Sequence, residues 1–262
     1  DTVNLKNIVE HLSPKGFSTG VISTSSIVHA TPASFYAHSP SRNYYEYIAS
    51  QLATSEIDFF AGGGIQFFAK RTDGENQLNN LLQAGFLVDT TTLDAFGELE
   101  AGNKYGFLLA DDGMPKMSEG RGEFLLNATE MAIEHLSKDE DGFFLMVEGS
   151  QIDWAGHAND ARWLISEVLD FDKVINAALD FAKKDGNTLV IVTADHETGG
   201  FSLSAAEVRR QAYYANIQPT FSTGHHSASL VPIFAYGPGA ERFQGVYNNS
   251  EVYTRMLKAL KK

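Results

Sequence analysis

Three apolar runs, each adjoining a cluster of carboxylates or imidazoles, constrain this chain more than any other feature. Phe143-Phe144-Leu145-Met146-Val147 leads directly into Glu148-Gly149-Ser150-Gln151-Ile152-Asp153-Trp154-Ala155-Gly156-His157. Leu189-Val190-Ile191-Val192-Thr193-Ala194 leads into Asp195-His196-Glu197-Thr198-Gly199-Gly200, and His225-His226 precedes Leu230-Val231-Pro232-Ile233-Phe234-Ala235-Tyr236. Runs of this length bounded by turn signals predict central strands of an α/β sheet. Ligands of such sheets gather outside the carboxyl ends of the strands. Carboxylate and imidazole assembled there point to a metal site for chemistry at oxygen.

A chain of 262 residues is compatible with one large domain, and at that size roughly 70–75% of the extended-chain surface is buried without staples. It contains no cysteine, so any metal must be held by nitrogen and oxygen. The formal charge of −13 argues against nucleic-acid and anionic-membrane partners. The same charge would repel a phosphorylated ligand unless bound divalent cations reversed the local field. No apolar run approaches the ~20 residues of a membrane span, and no signal peptide opens the sequence.

Strand and helix signals alternate along the chain, which favours α/β over segregated α+β. Leu5, Ile8, Val9 and Leu12 fall at helical spacing, and Gly16 to Thr24 reads as a strand entering a polar loop. Asn43 to Leu52, Gln77 to Ala84, Glu123 to Leu136 and Ser250 to Leu260 read as helices. The longest helix runs from Arg162 to Lys184 with an apolar stripe of Leu164, Val168, Phe171, Val174, Ile175, Ala178 and Phe181. Asp185-Gly186-Asn187 supplies its stop. Short strands are predicted at Ile57 to Phe60, Phe86 to Val88 and Lys104 to Leu109, with a turn at Gly62-Gly63-Gly64. No repeat or linker divides the chain, so 1–262 reads as a single domain with a small excursion around 201–225. The βα pattern opens on a helix, as though a preceding strand were absent.

Asp153 and His157 are four residues apart, so one helical turn would place both on one face. With His226 they make a three-ligand set that leaves one position open, the pattern of catalytic zinc. Asp195-His196 offers two more ligands, and Glu148 is an oxygen donor suited to a hard ion such as Mg²⁺. Each signal alone has a plainer reading: an Asp-His pair caps helices, an i,i+4 pair is an ordinary surface ion pair, and His225 competes with His226 for one role. Three such signals at three strand ends favour the joint reading.

The segments Val147 to Asp153, Val192 to His196 and the one around His226 resemble the alkaline phosphatases. Ala30-Thr31-Pro32-Ala33, Ala37-His38, Arg42, Gly62-Gly63-Gly64, Ala110-Asp111-Asp112-Gly113-Met114-Pro115 and Ala235-Tyr236-Gly237-Pro238 extend the similarity, in order, from about residue 10 to the end. The resemblance implies a three-layer α/β fold with a central, mostly parallel sheet flanked by helices, and an N-terminal strand unit missing. It implies a metal-dependent phosphate monoester hydrolase with two Zn²⁺ sites and one Mg²⁺ site. Asp153, His157 and His226 correspond to the ligands of one zinc, Asp195 and His196 to two ligands of the other, and Thr31 and Glu148 to ligands of magnesium. Arg42 corresponds to the arginine that holds two phosphate oxygens, a task suited to a planar guanidinium. His29 and Trp154 stand beside these ligands, where the best-studied bacterial pattern has Asp and Lys. Periplasmic or secreted location, a phosphate monoester substrate, inorganic phosphate as product and often a homodimer are implied in the same way.

The family's serine nucleophile, which carries the phosphoserine intermediate, and its bridging aspartate have no match here. Ser23, Thr24, Ser25 and Ser26 follow a strand upstream of Thr31, and loop hydrogen bonding is their expected role. The chain therefore reads as a truncated phosphatase that is inactive alone. The rivals are another superfamily hydrolase, acting on phosphodiesters or sulfate esters, and a noncatalytic metal- or phosphate-binding fragment. The exchange of carboxylate for imidazole near magnesium generates a prediction: magnesium occupancy responds to His29→Asp. Unchanged metal content and metal dependence in that variant, measured by elemental analysis, would contradict it.

Overall fold

The computed structural model describes residues 3–205 and 217–260, which fall into two compact units, Asp1–Ser150 and Gln151–Lys262. Part of the excursion expected around 201–225 lies outside the described residues, at 206–216.

In the first unit the order is α1 (Ile8–Leu12), β1 (Ser18–Ser26), α2 (Ala30–Ala33), α3 (Tyr45–Leu52), β2 (Phe59–Gly63), α4 (Ile65–Ala69) and α5 (Gln77–Gln83). β3 (Phe86–Asp89), β4 (Lys104–Leu108), α6 (Phe124–Leu136) and β5 (Phe143–Glu148) complete it. The five strands form one parallel sheet in the order β3-β4-β2-β1-β5. The fold is thus α/β with a central parallel sheet flanked by helices, as the alternating pattern predicts. Phe59, Phe60, Phe86 and Phe107 are fully buried along the sheet, and Leu125, Ala128, Ala132 and Leu136 form the buried stripe of α6. Asn7 caps α1 by accepting from the Glu10 N–H, while the Glu10 carboxylate accepts from the Asn7 N–H.

Two readings of β1 and β2 need correcting. β1 continues through Ser26, and the hydroxyl residues expected in a polar loop are buried strand residues: Ser23, Thr24 and Ser25 are fully buried and Ser26 is 3% exposed. In the Gly62-Gly63-Gly64 segment, Gly62 and Gly63 end β2 and only Gly64, the N-cap of α4 with φ 109°, lies beyond the strand. A Cβ on Gly63 would lie 1.7 Å from the Asp112 carbonyl oxygen, so only glycine lets the 110–113 loop pass over the strand end.

The second unit contains α7 (Gln151–His157), α8 (Ala161–Asp185), β6 (Val190–Thr193), β7 (Glu197–Thr198), β8 (Ser202–Ala205), β9 (Ile217–Thr220), β10 (His226–Ser227), β11 (Ile233–Tyr236) and α9 (Glu251–Ala259). The Asp160 carboxylate caps α8 by accepting from the N–H groups of Arg162 and Trp163. Leu164 and Val174 of the expected stripe are buried, whereas Val168 is exposed and Glu167 is buried in its place. Trp163 Nε1 donates to Glu167, which satisfies part of that carboxylate. The runs expected as central strands pair with each other instead: β6 and β11 are antiparallel, from Val190 opposite Tyr236 to Thr193 opposite Ile233. β11 alternates between half-buried and exposed residues, with Phe234 64% exposed, and β6 is half-buried from Val190 to Val192 and exposed at Thr193, so neither is a fully buried central strand. β7 pairs with β10 and β8 with β9, both antiparallel.

Candidate metal centre

In the second unit α7 carries Asp153 and His157 one turn apart on one face, as their spacing requires. The β7–β10 pair brings His226 to the same place, with His226 opposite Thr198. Asp153 Oδ1 lies 3.5 Å from His157 Nε2 and 3.5 Å from His226 Nε2, and the two nitrogens are 3.0 Å apart. Donors bound to one tetrahedral zinc at ~2.0–2.1 Å stand about 3.3–3.4 Å from one another. The three edges bracket that value, so this donor set fits a single small cation.

The ring orientation supports the fit. His157 Nδ1 lies 2.9 Å from the Gly224 carbonyl oxygen. A carbonyl only accepts, so Nδ1 carries the proton and, in the neutral ring, Nε2 presents its lone pair to the cluster. A backbone carbonyl behind a ligating histidine is the usual means of fixing ring and tautomer.

His196 adjoins the same group. Its ring stacks on that of His226 with centroids 3.5 Å apart, and suitable donor atoms of Asp153, His196 and His226 all lie within 4.8 Å of one another. Asp195 Oδ2 is 3.1 Å from His196 Nε2, so the two donor atoms of the Asp195-His196 pair are neighbours. His226 supplies the second imidazole of the first set; His225 instead uses its backbone, its carbonyl accepting from the Gly199 N–H and its own N–H donating to Thr223 Oγ1. Trp154 follows Asp153 on α7 and is half-buried.

The other expected residues belong to the first unit. Glu148 ends β5, and the Ser23 hydroxyl donates to its Oε2 at 2.6 Å. Ser23 Oγ also lies 2.9 Å from Ser150 Oγ and 2.7 Å from Ser25 Oγ, and it accepts from the Ser25 N–H at 3.0 Å. A hydroxyl has one proton; with the carboxylate taking it, these neighbours must act as donors toward Ser23 or face its lone pairs. Thr31 is the second residue of α2, whose N-cap is His29. Arg42 is exposed, with a guanidinium nitrogen 3.4 Å from His29 Nε2.

Two participants escaped the sequence reading. Ser23 escaped because a serine run after a strand signals a loop rather than a buried strand end. Thr198 escaped although it lies within the Asp195–Gly200 segment; its hydroxyl donates to Asp153 Oδ1. α7 reaches β7 closely enough that a Cβ on Gly156 would lie 2.8 Å from the Thr198 carbonyl oxygen.

With this geometry in hand, comparison with known proteins is informative. The family model described as alkaline phosphatase matches residues 1–220 and 204–262. Alkaline phosphatase 3 of Bacillus subtilis is 32% identical, the match covering 99% of this chain and 71% of that protein. The Escherichia coli alkaline phosphatase is 31% identical over 97% of this chain and 67% of its own length. Among solved structures, the alkaline phosphatase of the Antarctic bacterium TAB5 superposes with a TM-score of 0.94 at 55% identity, covering 98% of this chain and 76% of that one. A single-residue variant of the TAB5 enzyme, with magnesium bound in its M3 site, superposes with a TM-score of 0.95 at 54% identity over 100% of this chain and 77% of that one.

The close approach of α7 to β7 yields a prediction. Gly156→Ala forces the two apart and lowers the stability of the second unit by about 1–3 kcal/mol, the usual cost of overpacking. Chemical denaturation followed through unit 2 checks it, and an unchanged midpoint would contradict the contact.

Proposed function

The chain belongs to the alkaline phosphatase family, and from that premise we propose that its site residues serve the hydrolysis of phosphate monoesters. Asp153, His157 and His226 would hold one zinc, Asp195 and His196 would give two ligands to a second, and Thr31 and Glu148 would give ligands to magnesium. The observation that carries the proposal is the triangle of Asp153 Oδ1, His157 Nε2 and His226 Nε2, with edges of 3.0–3.5 Å. When bound, the cations supply positive charge where negative charge develops on the attacking and leaving oxygens of a phosphoryl group.

The protein's own groups have distinct parts. The Gly224 carbonyl holds His157 in the tautomer that offers Nε2. Ser23 orients Glu148 by donating to one carboxylate oxygen. Arg42 presents a planar fork that matches two oxygens of a terminal phosphate, with His29 beside it to limit its rotation. The magnesium bound to the TAB5 variant supports a magnesium role for the matching part of this chain.

The phosphoserine route needs an accessible hydroxyl. Ser23, Thr24, Ser25 and Ser26 are buried, and Ser23 gives its proton to Glu148, so these groups support ligands rather than attack phosphorus. A polypeptide of these 262 residues alone is therefore proposed to bind metal and phosphate with little turnover. Action of the span 1–262 as one catalytic domain, export to the periplasm or cell exterior, and homodimer formation are further proposals resting on the family alone. No described helix is long and apolar enough to cross a membrane.

Zinc-loaded protein titrated with inorganic phosphate, alongside an assay with a chromogenic phosphate monoester, tests this reading. Phosphate binding that weakens on Arg42→Ala, with little hydrolysis, is the expected result. Failure to bind either zinc or phosphate would overturn the proposal. Robust hydrolysis abolished by chelation and by Arg42→Ala would overturn its low-turnover part.

A further inference from the structure

We propose that Thr198 is a positioning residue that ties the two zinc ligand sets together, an inference that rests on the zinc reading of those sets. Its hydroxyl donates to Asp153 Oδ1 and lies 3.2 Å from His196 Nδ1. The hydroxyl has one proton, and the carboxylate is an acceptor only, so toward His196 the oxygen accepts. With a cation between His196 Nε2 and Asp195 Oδ2, which stand 3.1 Å apart, Nε2 would give it the lone pair and Nδ1–H would donate to the Thr198 oxygen. One side chain thus holds a carboxylate of the first set and an imidazole of the second.

The backbone of Thr198 extends the same role. Thr198 is the cross-strand partner of His226 in the β7–β10 pair, and its carbonyl oxygen packs against α7 at Gly156. The residue therefore meets the carrier of Asp153 and His157 on one side and His226 on the other, while its hydroxyl spans Asp153 and His196. Two antiparallel residue pairs make a short ladder, which alone fixes orientation weakly. The hydroxyl contacts supply the missing constraint. Partners of this kind, standing behind the ligands, typically govern about 10- to 100-fold of metal affinity.

Competition for Zn²⁺ against a chromophoric chelator, using the full chain, tests the assignment. Thr198→Val, which keeps the shape and removes the hydroxyl, is expected to weaken zinc binding about 10- to 100-fold. Thr198→Ser, which keeps the hydroxyl, is expected to stay within roughly threefold of the unmodified protein, a small part of that range. If Thr198→Val does not fold, as judged by circular dichroism without metal, Thr198→Ala compared with Thr198→Ser isolates the same hydroxyl. Equal affinity in the hydroxyl-bearing and hydroxyl-free variants overturns the proposal. Asp153→Ala separates this outcome from failure of the zinc reading: zinc affinity indifferent to Asp153 overturns both.

Discussion

Electron-rich atoms held close together with their lone pairs converging are the constraint on which the rest of this structure depends. Asp153 Oδ1, His157 Nε2 and His226 Nε2 stand 3.0–3.5 Å apart, and the Gly224 carbonyl keeps the His157 proton on the far side of its ring. Such an arrangement is unfavourable without a proton or cation among the donors, and it persists because the surrounding structure over-determines it. One helical turn fixes two of the donors, and a cross-strand pair fixes the third. Nothing in this geometry requires a cysteine, in keeping with a chain that has none.

The first unit solves a different problem with the same economy of groups. Strand β1 ends in hydroxyls that would be costly to bury alone, and the cost is offset by mutual hydrogen bonding and by the Glu148 carboxylate. Ser23 stays buried and gives its proton to Glu148 Oε2. Ligand support and nucleophilic attack demand opposite environments: the first favours burial and full hydrogen bonding, the second an accessible oxygen beside a base.

Features encoded locally were legible in the sequence. The Asp153–His157 spacing, the α8 stop at Gly186 and the helix read at Glu123 to Leu136 each depend on neighbours within a few residues. Order along the chain also sufficed for the parallel sheet, because alternating strand and helix signals leave few other ways to bury both faces. Non-local pairing was not legible. The runs at 189–194 and 230–236 looked alike as apolar segments, yet they form an antiparallel pair with exposed positions such as Phe234. Ser23 meets Ser150 across 127 residues of sequence, and Thr198 reaches Asp153 across 45; no pattern in one sequence announces either contact. Glu167 displaced Val168 from the buried side of α8 because Trp163 offers it a hydrogen bond, which hydropathy does not register.

Zinc-edge X-ray absorption on the chain loaded with its first equivalent of Zn²⁺ tests the central claim most directly. The account predicts a shell containing two imidazole nitrogens and a carboxylate oxygen at about 2.0–2.1 Å, with one imidazole lost in His226→Ala. A shell without two imidazoles, or one that His226→Ala leaves unchanged, would contradict it.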